Sequence, residues 1–401
     1  MPNKKLKVGN VPNLRFPGFT EEWETKKLAD INIINPKNEN LPFSFIYIDL
    51  ESVVNGRLLK EERILKDEAP SRAQRRLTKG DILFQMVRPY QKNNLYFDKE
   101  GDYVASTGYA QIRTLQNSQF VFQYLHNQKF VDKVIERCTG TSYPAINSSD
   151  LGNIKIHYPN SPEQNKIANF LELLDNRIQT QNKIIEGLKL SKQTIIKKIF
   201  SKELRFKNDD EINYPDWQIK KLGEITLPVS KRNKSNEKLP VYSINNRLGF
   251  VPQNEQFEGI NSDDRGYDIT LYKVIDKYTF AYNPARINVG SIGYSRDLEN
   301  IIISSLYVCF VTNEYVDDNF LFQYLKTGKF NKEVLKNVEG GVRDYLFYEN
   351  FARIIFEMPC IEEQNKIADF LCTFDNKIDM ETDYLKKLEE QKKYLLQNMF
   401  V

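Results

Sequence analysis

Apolar residues recur every three or four positions over residues 163–200, EQNKIANFLELLDNRIQTQNKIIEGLKLSKQTIIKKIF, and the spacing keeps to a heptad. Leu171, Ile178, Ile185, Lys192 and Ile199 fall on position a, and Leu174, Gln181, Leu188 and Ile195 on position d. This predicts a helix with one narrow apolar stripe. Ser161-Pro162-Glu163-Gln164 reads as its start, with Ser161 as N-cap, Pro162 in the first position and Gln164 completing a capping box. Residues 363–400, EQNKIADFLCTFDNKIDMETDYLKKLEEQKKYLLQNMF, carry the same pattern. Leu371, Ile378, Leu385, Lys392 and Met399 lie at a, with Phe374, Glu381, Leu388 and Leu395 at d. Both stripes break at the same two places, 181/381 and 192/392, where polar residues set register and partner at some loss of stability. Such a stripe can also pack on its own domain. More than four heptads, found twice, favour a long coiled-coil pair, most simply antiparallel. Each helix then spans ~57 Å at ~1.5 Å per residue.

The two segments align without a gap at an offset of 200, and 14 of the 38 positions are identical, so they are copies. The same offset aligns Phe120-Val121-Phe122-Gln123-Tyr124-Leu125 with Phe320-Leu321-Phe322-Gln323-Tyr324-Leu325, and Lys129-Phe130 with Lys329-Phe330. Further upstream Trp23 and Lys26-Lys27-Leu28 answer Trp217 and Lys220-Lys221-Leu222 at an offset of 194. Between these anchors the halves diverge almost completely. Each half has a shared start, a free middle and a shared exit helix.

The middles carry mixed signals. Ile154-Lys155-Ile156 and Ile301-Ile302-Ile303 suggest strands, Phe120 to Ile135 and Phe320 to Leu335 suggest helices, and Gly80-Asp81 suggests a turn. The most apolar run, Ile301 to Val311, is too short to span a bilayer and reads as a buried strand. Ser201 to Asn213 reads as a linker, polar at Asn208-Asp209-Asp210-Glu211. The expectation is an α+β protein: two α/β domains separated by a long antiparallel two-helix coiled coil, with a pseudo-two-fold internal repeat. The expected divisions are 1–160, 161–207, 208–360 and 361–401.

Composition narrows the class. Apolar residues at 40% and aromatics at 12% indicate a folded chain of 401 residues, long enough for two or three cores. The formal net charge is only +3, so any surface for nucleic acid must come from local clustering. Four scattered cysteines without a CxxC pair argue for a reducing compartment and against a structural zinc site. Two histidines, His126 and His157, make a histidine metal centre or triad unexpected. Lysines near Met1 are followed by no apolar stretch, so a cytoplasmic location is expected.

Ala69 to Phe97 holds Arg72, Arg75, Arg76, Lys79, Arg88 and Lys92 against one acid, Asp81, interleaved with Tyr90 and Tyr96. That suits phosphate contacts with aromatic packing nearby, although a solvated face carries similar runs. In the second middle Lys231, Arg232 and Lys234 form a weaker cluster, and the glycine-bearing stretch from Tyr282 to Gly293 offers Asn283, Arg286 and Asn288. Arg reading guanine and Asn reading adenine are the usual major-groove pairings. Gly140-Thr141-Ser142-Tyr143 corresponds by offset to Gly340-Gly341-Val342-Arg343, one loop with different side chains. Two readers of one geometry would differ there, and so would drifting surface loops. Thr141, Ser142, Tyr143 and Arg343 join the candidates.

Covalent chemistry lacks its motifs. No G-x-G turn for S-adenosylmethionine or a dinucleotide occurs, and Thr327-Gly328-Lys329 lacks the glycine spacing of a phosphate-binding loop. Asn283-Pro284-Ala285-Arg286 begins like an amino-methyltransferase motif and then fails. Pro215-Asp216 with scattered E-x-K triplets imitates a nuclease, but 28% charged residues produce such triplets by chance.

The chain resembles the specificity subunits of type I restriction-modification systems over essentially its whole length. The resemblance rests on Arg15-Phe16-Pro17-Gly18-Phe19 with Trp23 and Lys27-Leu28, then Pro159 with Glu163-Gln164-Asn165-Lys166-Ile167-Ala168, then Pro359 with Glu363-Gln364-Asn365-Lys366-Ile367-Ala368. It implies two target-recognition domains reading the halves of a bipartite site on double-stranded DNA, held apart by paired helices. It implies that those helices dock two methyltransferase subunits and that restriction subunits can join. Leu171, Leu174, Ile178, Ile185, Leu188, Leu371, Phe374, Ile378, Leu385 and Leu388 are then the residues for helix pairing and partner docking. S-adenosylmethionine, ATP and magnesium are expected only in the partners, and no catalytic residues carry over. A structural coiled-coil adaptor without DNA specificity is the alternative, and the shift of random DNA with salt tests it.

Overall fold

The structure is a computed structural model that describes residues 9–37, 40–256, 268–338 and 345–401. The chain divides into two compact units, one of Met1–Lys183 with Thr382–Val401 and the other of Ile184–Glu381.

The first unit holds two four-stranded sheets. One runs in the order Arg63–Leu65, Ser44–Ile48, Tyr103–Ser106, Ala73–Arg76, with a parallel central pair. The other, Asn32–Ile34, Tyr109–Thr114, Ile82–Gln85, Leu95–Tyr96, is antiparallel throughout. Strand periodicity explains how this second sheet serves two cores. Leu83 and Tyr109 face the other sheet with Ile48 and Phe97, while Ile82, Phe84 and Ile112 face Phe120, Tyr124 and Phe130 of the helices. A two-stranded ribbon, Glu24–Lys27 with Lys155–Tyr158, ties the unit's start to the residues that lead into the long helix.

The second unit repeats this plan in unrelated sequence. Gly249–Pro252, Val241–Asn245, Ile301–Ile303 and Lys273–Ile275 form one sheet, again with a parallel central pair. Thr226–Pro228, Val308–Thr312, Phe280–Tyr282 and Ile292–Tyr294 form the antiparallel one, and Gln218–Lys221 pairs with Ile355–Met358. The divergent middles therefore share one topology.

Four expectations are corrected. The helices expected over 120–135 and 320–335 are each two, Ser118–Tyr124 with Gln128–Ile135, and Asp318–Tyr324 with Gly328–Asn337. Asn127 and Thr327 restart them, their side-chain oxygens accepting from Lys129 N and Phe330 N. The run Ile301–Val311 is not one strand, since Ile301–Ile303 and Val308–Thr312 lie in different sheets. The first long helix spans Ser161–Phe200, but Asn160 caps it, accepting from Glu163 N at 3.1 Å, and Gln164 donates back to Pro159 O at 2.8 Å. Ser201–Asn213 is more than a linker, because Arg205 within it binds the buried Glu363.

The long helices, Ser161–Phe200 and Ile361–Asn398, each begin in one unit and finish in the other. Within the first unit Leu171, Leu174 and Ile178 pack with Leu388, Leu395 and Met399. Within the second, Ile195 and Ile199 share a core with Ile367 and Leu371. Arg177 meets Tyr384 and Asp175 meets Lys392, so the segments run antiparallel. The lysines that break the seam are satisfied from across it. Lys192 binds Asp375 at 2.6 Å, and its counterpart Lys392 binds Asp175. Gln123 and Gln323 donate to the same carboxylates at 2.7 and 3.2 Å, so the pairs are hydrogen-bonded rather than merely buried. The helix ends close the cores. Phe400 lies against Trp23, Phe120 and Tyr124 in the first unit, and Phe200 against Trp217, Phe320 and Tyr324 in the second.

Candidate nucleic-acid interface

Strand Ile82–Gln85 leaves the first unit's core and runs into a 3₁₀ turn, Pro89–Gln91, preceded by Arg88 and closed by Lys92. Both flanking residues have left-handed backbones, φ 54° each. The approach is clamped by the loop carrying Thr141, Ser142 and Tyr143, since Arg88 N donates to Pro144 O at 2.7 Å and Ile146 N to Met86 O at 3.0 Å. The Arg88 guanidinium lies 4.2 Å from the centre of the Tyr143 ring. Thr141, Ser142 and Tyr143 are exposed, as is Tyr90. Lys92 is tied down by bonds to His126 O and Gln128 Oε1 at 3.1 and 2.8 Å, and burial pulls its pKa below the usual lysine value.

The other arginines of this stretch part company. Arg72 is exposed and near the turn, because its carbonyl accepts from Thr107 N while Met86 N donates to the adjacent Gly108 O. Arg75 is half-buried in strand Ala73–Arg76, its Nε without a hydrogen-bond partner and its pKa lowered by desolvation. Arg76 faces Asp102 at 3.7 Å, and Lys79 faces Glu100 at 3.6 Å. Asp81, the lone acid of the run, is buried and held by Arg113 at 2.8 Å.

In the second unit strand Phe280–Tyr282 leads into the 3₁₀ turn Ile287–Val289, preceded by Arg286 and closed by Gly290 at φ 87°. Leu346 N donates to Pro284 O at 3.1 Å, repeating the clamp of the first unit. Arg286 and Asn288 are exposed. Asn283 shapes the turn instead, its Oδ1 accepting from Ala285 N at 3.0 Å. Lys231 and Arg232 lie apart from this turn, along edge strand Lys273–Ile275, where Lys231 pairs with Asp276 at 3.0 Å and Arg232 bridges Lys273. Arg343 lies outside the described residues.

Arg88 and Arg286, chosen separately from sequence, thus occupy the same place on the repeated scaffold. Among the described residues neither makes an ion pair, whereas Arg76, Lys79, Arg113 and Lys231 each do. Sequence reasoning missed the element that backs each turn. In the first unit hairpin Val53–Leu58 rests on it, Asn55 N donating to Asn93 Oδ1 at 3.0 Å. In the second, hairpin Val241–Pro252 does so, with Ser291 Oγ donating to Ile244 O at 3.0 Å. Gly249 adopts φ 71°, which disfavours a side chain, and a Cβ at Gly293 would lie 2.8 Å from the Phe250 ring. The tip presents Arg247 and Leu248, both exposed. Asn55-Gly56 was a readable hairpin signal. Arg247-Leu248-Gly249 was not.

The seam residues can be placed as well. Leu171, Leu174, Ile185, Leu371 and Leu388 are buried, and Ile178, Leu188, Phe374, Ile378 and Leu385 half-buried. No group of three or more His, Cys, Asp or Glu side chains able to hold a metal ion occurs among the described residues. Among the described residues no helix is long and apolar enough to cross a membrane.

Two units of one topology, alike in frame and unlike in what their loops present, define a two-module recognition protein rather than one built around a single central site. Residues 20–190 and 214–390 match the family model described as the type I restriction modification DNA specificity domain, and the chain belongs to that family. It is 26% identical to a protein of Methanocaldococcus jannaschii assigned as the MjaX type I restriction enzyme specificity subunit, covering 98% of this chain and 94% of that one. Identity to the MjaVIII specificity subunit of the same organism is 25%, over 96% and 92% of the two chains. Among solved structures, the S subunit of a type I restriction-modification system from M. genitalium shares the fold, with a TM-score of 0.59 at 18% identity over 98% of this chain and 99% of that one.

Proposed function

We propose that this chain is the DNA-specificity subunit of a type I restriction-modification complex, each unit reading one half of a bipartite site on duplex DNA. The observation that carries the reading is the pair of equivalent turns, each presenting an arginine that makes no ion pair among the described residues, beside loops of different composition. With a net charge of only +3, the attraction for phosphates is local to such places. The long helices dock two methyltransferase subunits. Leu173, Ile184, Leu190, Met380 and Tyr394 lie exposed on them, outside the a and d positions, and apolar side chains so displayed suit a protein partner. Those partners hold S-adenosylmethionine, flip the target adenine and methylate its N6. Restriction subunits bring ATP and magnesium, and the chain itself carries out no covalent step.

Exchange of Ile31–Asn153 for the matching span of a relative tests the reading. The expected result is a change in one half of the methylated motif, with the other half and the spacing kept, as mapped by sequencing modified adenines. A change in both halves, or in neither, overturns it.

A further inference from the structure

We infer that Arg88 and Arg286 are counterpart base-reading residues, each recognising the edge of a guanine in the half-site its own unit covers; this rests on the bipartite reading proposed above. Met86-Val87-Arg88-Pro89-Tyr90-Gln91-Lys92 and Pro284-Ala285-Arg286-Ile287-Asn288-Val289-Gly290 hold equivalent 3₁₀ turns, each directly preceded by the arginine. Arginine is the one residue the two stretches share. Every other residue of the turn has changed, and the backbone at the arginine differs too, φ 54° at Arg88 against φ −137° at Arg286, so no shared backbone requirement explains the arginine.

Backbone geometry supports this at Arg88. A left-handed residue before a 3₁₀ turn is cheapest as glycine or asparagine. An arginine held at φ 54° is strained, and strain of this kind persists where the side chain is needed. The charge is also free. Acids satisfy Arg76, Lys79, Arg113, Lys231 and Lys277, but neither Arg88 nor Arg286 has an ion pair among the described residues.

Local structure fixes the backbone of the turn in the second unit and also orients the guanidinium in the first. The Arg88 guanidinium lies over the Tyr143 ring at 4.2 Å from its centre, which orients it. In the second unit Val289 N and Ser291 N both donate to Arg286 O at 3.1 Å, and the hairpin ending in Arg247-Leu248 braces the turn from beside it. The planar fork of guanidinium donors matches the paired O6 and N7 acceptors of guanine, and at Arg88 the ring contact reduces the freedom lost on contact.

The test uses the full chain with its modification subunits and selects bound duplexes from a random pool, comparing wild type with R88A, R88K, R286A and R286K. Lysine keeps the charge and removes the fork, so it separates base reading from phosphate attraction. Both Arg88 variants are expected to lose about tenfold or more of the preference for one base pair in one half-site, and both Arg286 variants to do so in the other. Uniform weakening on all sequences with the motif unchanged makes these phosphate contacts and overturns the inference. So does an effect of both residues on the same half. A bipartite wild-type motif that survives in all four variants overturns this inference alone, whereas a wild-type motif without two halves overturns the proposed function with it.

Discussion

Arg15 and Glu163 show how single residues lock the lead-in of each half to its long helix. The guanidinium meets the carboxylate through two bonds of 2.7 Å, and Glu163 is fully buried. Arg205 repeats this on Glu363 at 2.7 and 2.9 Å, joined there by Trp217 Nε1 at 3.2 Å. The pairing raises the pKa of both arginines. Leu14-Arg15-Phe16 and Leu204-Arg205-Phe206 are therefore one motif, with Phe16 against Phe170 and Phe206 against Phe370. Removal of the arginine strands a buried carboxylate, so Arg15→Ala is expected to destabilise the first unit by about 3–5 kcal/mol and Arg15→Lys by less. The two tryptophans, one in each core, make the measurement specific. In a Trp217→Phe background, denaturant unfolding followed by Trp23 fluorescence reports the first unit. An unchanged midpoint contradicts the role given to the pair.

At the scale of the element, the seam is a compromise between burial and register. Isoleucine and leucine supply the apolar contacts, and a lysine in each copy spends some of that stability on a partner that exists only in one alignment of the helices. Asp175 receives Lys392 and Gln123, and Asp375 receives Lys192 and Gln323, so a slip of one turn leaves charges unmatched. Leu174 has no such polar alternative. Leu174→Glu buries a carboxylate among Leu171, Leu395 and their neighbours and is expected to cost a few kcal/mol, roughly the penalty for an unpaired buried polar group. Leu188→Glu, at a half-buried position, is expected to cost less. Thermal unfolding of the two variants side by side checks the order, and equal loss contradicts the burial.

For the whole molecule, the first unit depends on the last residues of the chain. Phe400 fills the space between Trp23, Phe120 and Tyr124 that Phe200 fills in the second unit. Phe400→Ala is expected to cost about 3–5 kcal/mol in the first unit. Seen by Trp23, the transition moves to lower denaturant, while the one seen by Trp217 moves less; equal shifts contradict the placement. That dependence was half legible. The repeat, the heptads and the polar breaks could all be read from the chain, because a helix's periodicity is a local signal and copies betray themselves by offset. The sequence points to Ser161 as the cap of the first long helix, whereas the fold places Asn160 there. The arginines of the two turns were visible as residues but not as equivalents, since only the sheets reveal that the middles are one fold. Partners such as Arg88 with Tyr143, Asp175 with Lys392, or Asn55 with Asn93 leave no periodic trace along the chain. Their meeting depends on strand order and on which face each residue presents. The sequence by itself determined the repeat, the long helices and the family. Tertiary structure decided which charges are neutralised and, among the described residues, which make no ion pair, because that depends on neighbours distant in sequence.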